Sequence, residues 1–248
     1  CAAAFIESPT RIGTVELTRS GVPHYKNPAH PVFIADAGRI KRIETCLGTG
    51  ESFYRAMAQL GFKDWTGKNL VIFGSGKVGT GLITYAHQLG ARISVVTEPS
   101  TVSARLKTLT DVTWIAFNDK AAVEKAVAAA HAVVTATGVA GAATYAADAR
   151  AYTESRALLA NMGVEDEYGP GVPASRVLEE KRPLNFILTE PTLMKYIDAT
   201  MALHNAGALW LTGHPEAHGV IDPPAELEAA ILADTRSGGL LGEELDLI

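Results

Sequence analysis

Three glycines have the type and spacing to do chemistry, and they lie in the run Gly74-Ser75-Gly76-Lys77-Val78-Gly79. The run has the spacing GxGxxG, directly follows an apolar stretch and opens a segment with helical spacing of apolar residues. In such a strand, turn and helix, the first glycine permits the tight turn, the second allows close backbone approach to a pyrophosphate, and the third lets helix and strand pack closely. Free N–H groups at the helix N-terminus then bind the anion. The run therefore predicts a dinucleotide-binding loop, with an ordinary glycine-rich turn as the alternative.

A single acid, Glu98, has the position needed to complete such a site. It ends the apolar segment ISVVTE, which follows the glycines by the roughly twenty residues expected of a ribose-binding acid. An acid at this place accepts hydrogen bonds from the adenosine ribose hydroxyls, and its charge repels a 2′-phosphate. Glu98 therefore favours NAD over NADP, unless it is only a solvated strand end.

The elements that must position these residues alternate along the chain. Continuous apolar runs, typical of buried parallel strands, are separated by segments with helical spacing. The pattern predicts an α/β fold, a Rossmann-type doubly wound parallel sheet with a partial flanking second domain. The predicted strands are 69–74, 92–96, 112–117, 132–137 and 156–161, and the main helices between them are 77–89, 119–130 and 142–150.

The same elements delimit an NAD-binding domain at residues 66–190. Residues 1–65 contain several prolines and one helical pattern at 50–62. Because the chain begins with Cys1 and not with Met, we expect residues to be missing upstream, so that 1–65 form the N-terminal segment of an incomplete domain. Residues 191–248 are predicted to be a helical C-terminal segment, with helices at 191–210 and 223–235.

Composition and charge exclude several classes of protein. The chain has 248 residues, is 47% hydrophobic and 20% charged, and carries a formal net charge of −5. This charge argues against nucleic-acid binding, which needs concentrated Lys and Arg. The apolar runs are shorter than the roughly eighteen residues of a transmembrane helix, so we expect no membrane partner. The two cysteines suggest neither a disulfide framework nor a Cys-based metal site, and we expect a cytoplasmic protein.

The glycine run lies in a longer stretch, GKNLVIFGSGKVGTGL, which resembles the NAD-binding signature of the S-adenosylhomocysteine hydrolase (adenosylhomocysteinase) family. The resemblance continues over most of residues 5–205. It includes the acid-and-hydroxyl segment Glu7-Ser8-Pro9-Thr10, Asp36, the stretch from Glu44-Thr45 to Glu51-Ser52, VVTATG at 133–138, LLANMG at 158–163 and the segment FILTEPTLMKYIDAT.

This resemblance implies site residues beyond the glycine loop. It implies that Glu7 meets the substrate, and that further cofactor contacts come from Thr10, Thr45, Thr135, Thr137, Gly138 and Asn161. It also implies that residues 1–65 belong to a substrate or catalytic domain, and that the protein is a homo-oligomer that acts on a small-molecule substrate. In the related family, bound NAD oxidises a ribose hydroxyl and later returns the hydride.

The chain departs from the family pattern at catalytic positions. Where the family has a Lys four residues before an acid, this chain has Ile40 before Glu44, with Lys41 one position later, and Val164 replaces the family's His after Asn-x-Gly. Hydride transfer from a hydroxyl needs a base for the departing proton, and the candidates are Glu7, Lys41, Glu44 and His204. The alternatives are that Lys41 belongs to a solvated basic edge, that His204 is a core or capping residue, and that Asn161 caps a turn and does not contact the cofactor.

Two histidines, His214 and His218, have the spacing of metal ligands on one helix face. Pro215 disfavours a regular helix there and no third ligand is evident, so we predict no metal site.

Three functions are compatible with these residues. The first is an NAD-dependent oxidoreductase that resembles adenosylhomocysteinase but transfers a hydride at a different hydroxyl-bearing small molecule. The second is a true S-adenosylhomocysteine hydrolase with unusual active-site spacing. The third is a non-catalytic module in which NAD is structural or sensory.

Overall fold

The computed structural model describes residues 12–248 apart from the side chains at 19, 20, 243 and 247, and statements about 12–248 below leave these four side chains out. The predicted site residues Glu7 and Thr10 therefore lie outside the described part of the chain. The chain divides into two compact units. One is continuous and spans Thr45–Thr192, whereas the other combines the residues up to Glu44 with Leu193–Asp246. We call them the continuous unit and the discontinuous unit.

Strands and helices are numbered along the chain. The strands are β1 (Thr14–Glu16), β2 (Val32–Ile34), β3 (Asn69–Phe73), β4 (Arg92–Thr97), β5 (Val112–Ala116), β6 (Ala132–Thr135), β7 (Leu158–Asn161) and β8 (Val220–Ile221). The α-helices are α1 (Ile40–Arg42), α2 (Thr49–Gln59), α3 (Lys77–Gln88), α4 (Lys120–Ala128), α5 (Ala142–Ala146), α6 (Ala149–Thr153), α7 (Met194–Gly213) and α8 (Ala225–Ser237), and a π-helical turn spans Ile43–Gly48.

The continuous unit is built on a five-stranded sheet with the order β5-β4-β3-β6-β7. All neighbouring strands are parallel. Counted from the first strand of the unit, this is the order 3-2-1-4-5, in which the chain reverses its direction across the sheet between β3 and β6. This order defines the Rossmann arrangement and confirms the predicted α/β doubly wound fold.

Helices cover both faces because successive side chains of each strand point to opposite sides. Leu70 and Ile72 of β3 pack in one core with residues of α2 and α3, whereas Val71 and Phe73 pack in a second core with residues of α4, α5 and α6. Strands buried on both faces therefore read as continuous apolar runs, which is why the sequence located them correctly.

One predicted helix, at 142–150, is divided in two. Ala147 has an extended backbone, and the side chain of Asp148 accepts a hydrogen bond from the N–H of Arg150 at the start of α6. The helical spacing of the apolar residues continues through this break, so periodicity alone predicted a single helix. A capping acid next to alanines was the available signal for a new start.

The predicted boundary between residues 65 and 66 falls inside the continuous unit, because α2 packs directly against α3. Two glycines make this contact close. A Cβ on Gly81 would collide with the carbonyl of Cys46, and a Cβ on Gly50 would collide with the backbone of Gly81. The Tyr54 hydroxyl also donates a 2.6 Å hydrogen bond to the carbonyl oxygen of Leu82. Residues 45–65 are thus part of the continuous unit.

The discontinuous unit contains a three-stranded parallel sheet of order β1-β2-β8. The central strand β2 is fully apolar and buried, and Phe33 packs so closely on α7 that a Cβ on Gly207 would lie 2.6 Å from its ring. The carboxylate of Glu228 on α8 accepts hydrogen bonds from the N–H groups of Arg39 and Ile40 and so caps α1. Neither the 20-residue α7 nor any other described helix is long and apolar enough to cross a membrane.

Candidate functional site

The three glycines of the predicted dinucleotide loop have the geometry that their roles require. Gly74, directly after β3, has φ of +97°, and a Cβ there would lie 2.6 Å from the carbonyl oxygen of Ala136. A Cβ on Gly79 would collide with the carbonyl of Gly74, so this glycine lets α3 pack against the end of β3. Gly76 instead faces open space, with no atom within 4 Å of an added Cβ. This space lies at the N-terminus of α3, where a pyrophosphate would meet free N–H groups.

A cavity of about 420 Å³ opens beside this loop, entirely within the continuous unit. It lies at the carboxyl ends of β3, β4 and β6, which is the switch point of the sheet and the usual ligand position in this fold. Its lining combines backbone, hydroxyl, acidic and aromatic groups: Gly74, Ser75, Gly76, Val96, Thr97, Glu98, Thr101, Phe117, Ala136, Thr137, Val139, Ala142 and Tyr145.

Glu98 lies at one side of this cavity, where β4 ends. One carboxylate oxygen accepts hydrogen bonds from the Ser100 N–H at 3.4 Å and the Ser100 hydroxyl at 3.1 Å. The other oxygen has no hydrogen bond to any residue among 12–248. Next to it, the hydroxyls of Ser75 and Thr97 are 2.9 Å apart, which connects the glycine loop to the end of β4. The glycine loop and Glu98 therefore lie where the sequence analysis predicted them, and Lys77 and Val78 form the first turn of α3.

The loop after β6 forms the opposite side of the cavity. This loop is held in place by Glu167, a residue that the sequence analysis did not single out. The fully buried carboxylate of Glu167 accepts hydrogen bonds from the N–H and hydroxyl of Thr137 and from the N–H of Gly138, at 2.7–3.0 Å. Glu167 lies in a run of three acids, Glu165-Asp166-Glu167, which reads as a solvated loop. The sequence carries no signal that the third acid turns inward.

Two predicted cofactor ligands have a different role in the structure. Asn161 and Thr135 are both 0% exposed. The Asn161 amide nitrogen donates to the carbonyl oxygens of Gly163, Glu165 and Lys181, and its oxygen accepts from the Thr135 hydroxyl and the Gly163 N–H. The hydrogen-bonding groups of these two side chains thus hold the turn after β7, which is the alternative role predicted for Asn161, and cofactor contact by either of them stays a prediction.

The structure brings two predicted catalytic residues together. The Lys41 ammonium lies 2.9 Å from both carboxylate oxygens of Glu44. The Lys41 side chain is only 6% exposed, so the alternative of a solvated basic edge was wrong for this residue. Glu44 and the predicted cofactor ligand Thr45 both lie in the π-helical turn, an irregularity that is frequent at functional sites. Lys41 and Glu44 belong to the discontinuous unit, and Thr45 begins the continuous one.

Two histidines singled out in the sequence, His204 and His214, lie on or directly after α7. His204 is half-buried on α7. His214 stacks on Trp210 with the ring centroids 3.9 Å apart, and its Nδ1 lies 2.8 Å from the Trp210 carbonyl oxygen. No group of three or more His, Cys, Asp or Glu side chains within 12–248 is arranged to hold a metal ion.

Comparison with known proteins supports the cofactor. Residues 62–168 match a family described as "Putative NAD(P)-binding". The match begins before β3 and ends after β7, so it contains the glycine loop, Glu98 and the loop after β6. The prediction of a nicotinamide dinucleotide cofactor is thereby confirmed. No curated protein matches the chain.

Solved structures show distant likenesses. Shikimate 5-dehydrogenase from Listeria monocytogenes, solved with shikimate and NAD, is 20% identical, with a TM-score of 0.40, over 48% of this chain and 45% of that one. One subunit of dipicolinate synthase from Bacillus halodurans is 13% identical, with a TM-score of 0.47, over 78% and 70%. A D-isomer specific 2-hydroxyacid dehydrogenase family protein from Aeromonas salmonicida is 16% identical, with a TM-score of 0.42, over 73% and 68%. Likenesses this distant say nothing about the substrate.

Proposed function

We propose that this chain is an NAD-dependent oxidoreductase that resembles adenosylhomocysteinase and transfers a hydride at a hydroxyl-bearing small molecule. The proposal rests on the lining of one cavity. The N-terminus of α3, with the open space at Gly76, forms part of this lining, and the Glu98 carboxylate forms another part. A dinucleotide fits this arrangement because the pyrophosphate takes the helix N-terminus while the acid takes the sugar.

Glu98 favours NAD over NADP for a simple electrostatic reason. The carboxylate oxygen without a partner among the described residues is free to accept from a ribose hydroxyl, whereas a 2′-phosphate would bring two negative groups together. We therefore expect Gly74, Ser75, Gly76 and Thr137 to contact the cofactor together with Glu98, since all five line the cavity.

Chemistry at the substrate requires a proton acceptor as well as the cofactor. A bound nicotinamide would supply the hydride acceptor, and a residue of this chain would then have to take up the proton of the substrate hydroxyl. The candidates for this base remain Glu7, Lys41, Glu44 and His204, and among them Lys41 and Glu44 form an ion pair.

Cofactor choice gives the first test. Titration calorimetry with NAD⁺ and NADP⁺ should show a clear preference of the wild-type protein for NAD⁺. Glu98→Gln removes the charge and keeps the shape, so we expect the ratio of the two dissociation constants to fall by about tenfold, which corresponds to about 1.4 kcal/mol. Equal binding of both cofactors by the wild type, or an unchanged ratio in the variant, would contradict the assignment.

Activity gives the second test. NADH formation should be measured with nucleosides, hydroxy acids and amino acids, and adenosine release with S-adenosylhomocysteine. Reduction of NAD⁺ by one hydroxyl compound, lost in Lys41→Met, supports the oxidoreductase, whereas adenosine release without net NADH supports the hydrolase. A protein that binds NAD⁺ and is silent with every compound would instead support the non-catalytic module. Size-exclusion chromatography tests the homo-oligomer that the family resemblance implies.

A further inference from the structure

We propose that Glu167 is a positioning residue that fixes one wall of the cofactor cavity and makes that wall an acceptor of sugar hydroxyls. The role rests on the NAD binding proposed above. Glu167 does not line the cavity itself and acts through Thr137 and Gly138, which follow β6.

One buried carboxylate satisfies every donor at the start of this loop. Oε1 accepts from the N–H groups of Thr137 and Gly138 at 3.0 and 2.7 Å, and Oε2 accepts from the N–H and the hydroxyl of Thr137, both at 2.8 Å. No salt bridge joins Glu167 to a basic side chain among residues 12–248. A buried carboxylate is costly unless other groups bind it, so these hydrogen bonds stabilise both the Glu167 carboxylate and the loop after β6.

The backbone that carries this carboxylate is itself fixed. The carbonyl oxygen of Glu167 accepts from the N–H of Ala143 on α5 at 2.9 Å. The fully buried hydroxyl of the next residue, Tyr168, donates to the carbonyl oxygens of Val133 on β6 and Ala160 on β7. Burial raises the pKa of Tyr168 well above its usual value, so this hydroxyl stays protonated. The segment that carries Glu167 is therefore held against α5 and the sheet.

This arrangement determines what Thr137 can offer a ligand. Its hydroxyl proton is used toward Glu167, and its oxygen accepts from the N–H of Val139 at 3.1 Å. One lone pair remains, so Thr137 can accept from a sugar hydroxyl and cannot donate to a phosphate. The N–H groups of Thr137 and Gly138 are also occupied, which leaves the pyrophosphate to the N-terminus of α3.

The test uses Glu167→Gln, which keeps the size but replaces one acceptor oxygen with a donor that faces N–H and O–H groups. We expect the dissociation constant for NAD⁺ to rise by about tenfold, and amide hydrogen exchange at residues 137–139 to become faster in the ligand-free protein. Glu165→Gln, an exposed acid on the same segment, is the matched control. Val127→Ala, in the core on α4, controls for a general loss of stability. Neither control should change NAD⁺ binding.

A second variant displaces the Glu167 side chain without changing any residue of the loop after β6. A Cβ on Gly163 would collide with the Glu167 carboxylate, so Gly163→Ala should reproduce both effects. Wild-type affinity for NAD⁺ in Glu167→Gln, or an equal loss in Val127→Ala, would overturn the positioning role. Failure of the wild type to bind NAD⁺ would overturn the proposed function instead. In that case, amide exchange still tests whether Glu167 holds the loop after β6. Unchanged exchange at Thr137 and Gly138 in Glu167→Gln would show that it does not.

Discussion

At the scale of single residues, a buried amide and a ligand-binding amide have the same appearance in a sequence. Asn161 follows an apolar strand and precedes Gly163, as a cofactor-contacting turn would, yet all its hydrogen bonds go to the protein. What separates the two roles is the position of the carbonyls of Glu165 and Lys181, and only the folded chain shows it. The same holds for Glu167, whose neighbours Glu165 and Asp166 made a solvated acidic loop the natural interpretation.

Asn161→Ala provides a prediction at this scale. The substitution leaves several buried carbonyl and N–H groups without partners, so we expect the free energy of unfolding to fall by about 3 kcal/mol. Asn69→Ala, which removes a single hydrogen bond from a half-buried amide to the Ala129 carbonyl, should cost only about 1 kcal/mol. Urea denaturation of the two variants measures the difference, and equal costs would show that the turn after β7 does not depend on Asn161.

At the scale of elements, two glycines of α3 have opposite surroundings. A Cβ on Gly76, at the N-terminus of the helix, would meet no atom within 4 Å, and this is the space that we propose for the pyrophosphate. A Cβ on Gly81, in the second turn, would collide with the carbonyl of Cys46. The sequence predicted the helix and its phosphate-binding end from GxGxxG. It did not predict the contact at Gly81, because nothing local in a helix indicates that another backbone lies against it.

A pair of alanine substitutions should separate these two functions of α3. Gly81→Ala should lower the free energy of unfolding by about 2 kcal/mol through overpacking, even though alanine is the better helix former. Gly76→Ala should leave the unfolding free energy unchanged within about 0.5 kcal/mol, yet weaken NAD⁺ binding by more than about tenfold because the methyl group occupies the pyrophosphate position. Thermal unfolding and calorimetry on both variants check this, and a stable Gly81→Ala or a tightly binding Gly76→Ala would contradict it.

At the scale of the whole molecule, the sequence predicted the continuous unit far better than the discontinuous one. Strands β3 to β7 are apolar runs whose partners follow one another closely, so local pattern is enough. The sheet of the discontinuous unit pairs Val32 with Val220, and β8 is only two residues long. A pairing between such distant residues leaves no local trace, which is why residues 1–65 and 191–248 were predicted as separate segments.

The pH dependence of global unfolding gives a prediction at this scale. His131 precedes β6 with its ring against Phe62 and Trp65. Burial lowers its pKa below the usual value, and the charge of Lys68 adds to the effect. The unfolded chain therefore binds a proton more readily than the folded one, and stability should fall as the pH drops below about 6.5.

His131→Gln should make unfolding less sensitive to pH in this range. Urea midpoints of the wild type and the variant should be compared at about pH 8, where the histidine is neutral in both states, and at about pH 5.5. On acidification, the urea midpoint of the wild type should fall more than that of His131→Gln, so the gap between the two midpoints should change. A gap that stays constant would mean that His131 titrates alike in the folded and unfolded chain.

The central position of β2 has a consequence for biosynthesis. Its hydrogen bonds to β8 form only after Val220 and Ile221 have left the ribosome, well after the complete continuous unit has been translated. Until then the apolar strand Val32–Ile34 presents an open edge, and such edges attract other nascent chains. The speed of translation and the supply of chaperones while residues 193–221 are synthesised should therefore affect the yield of native protein.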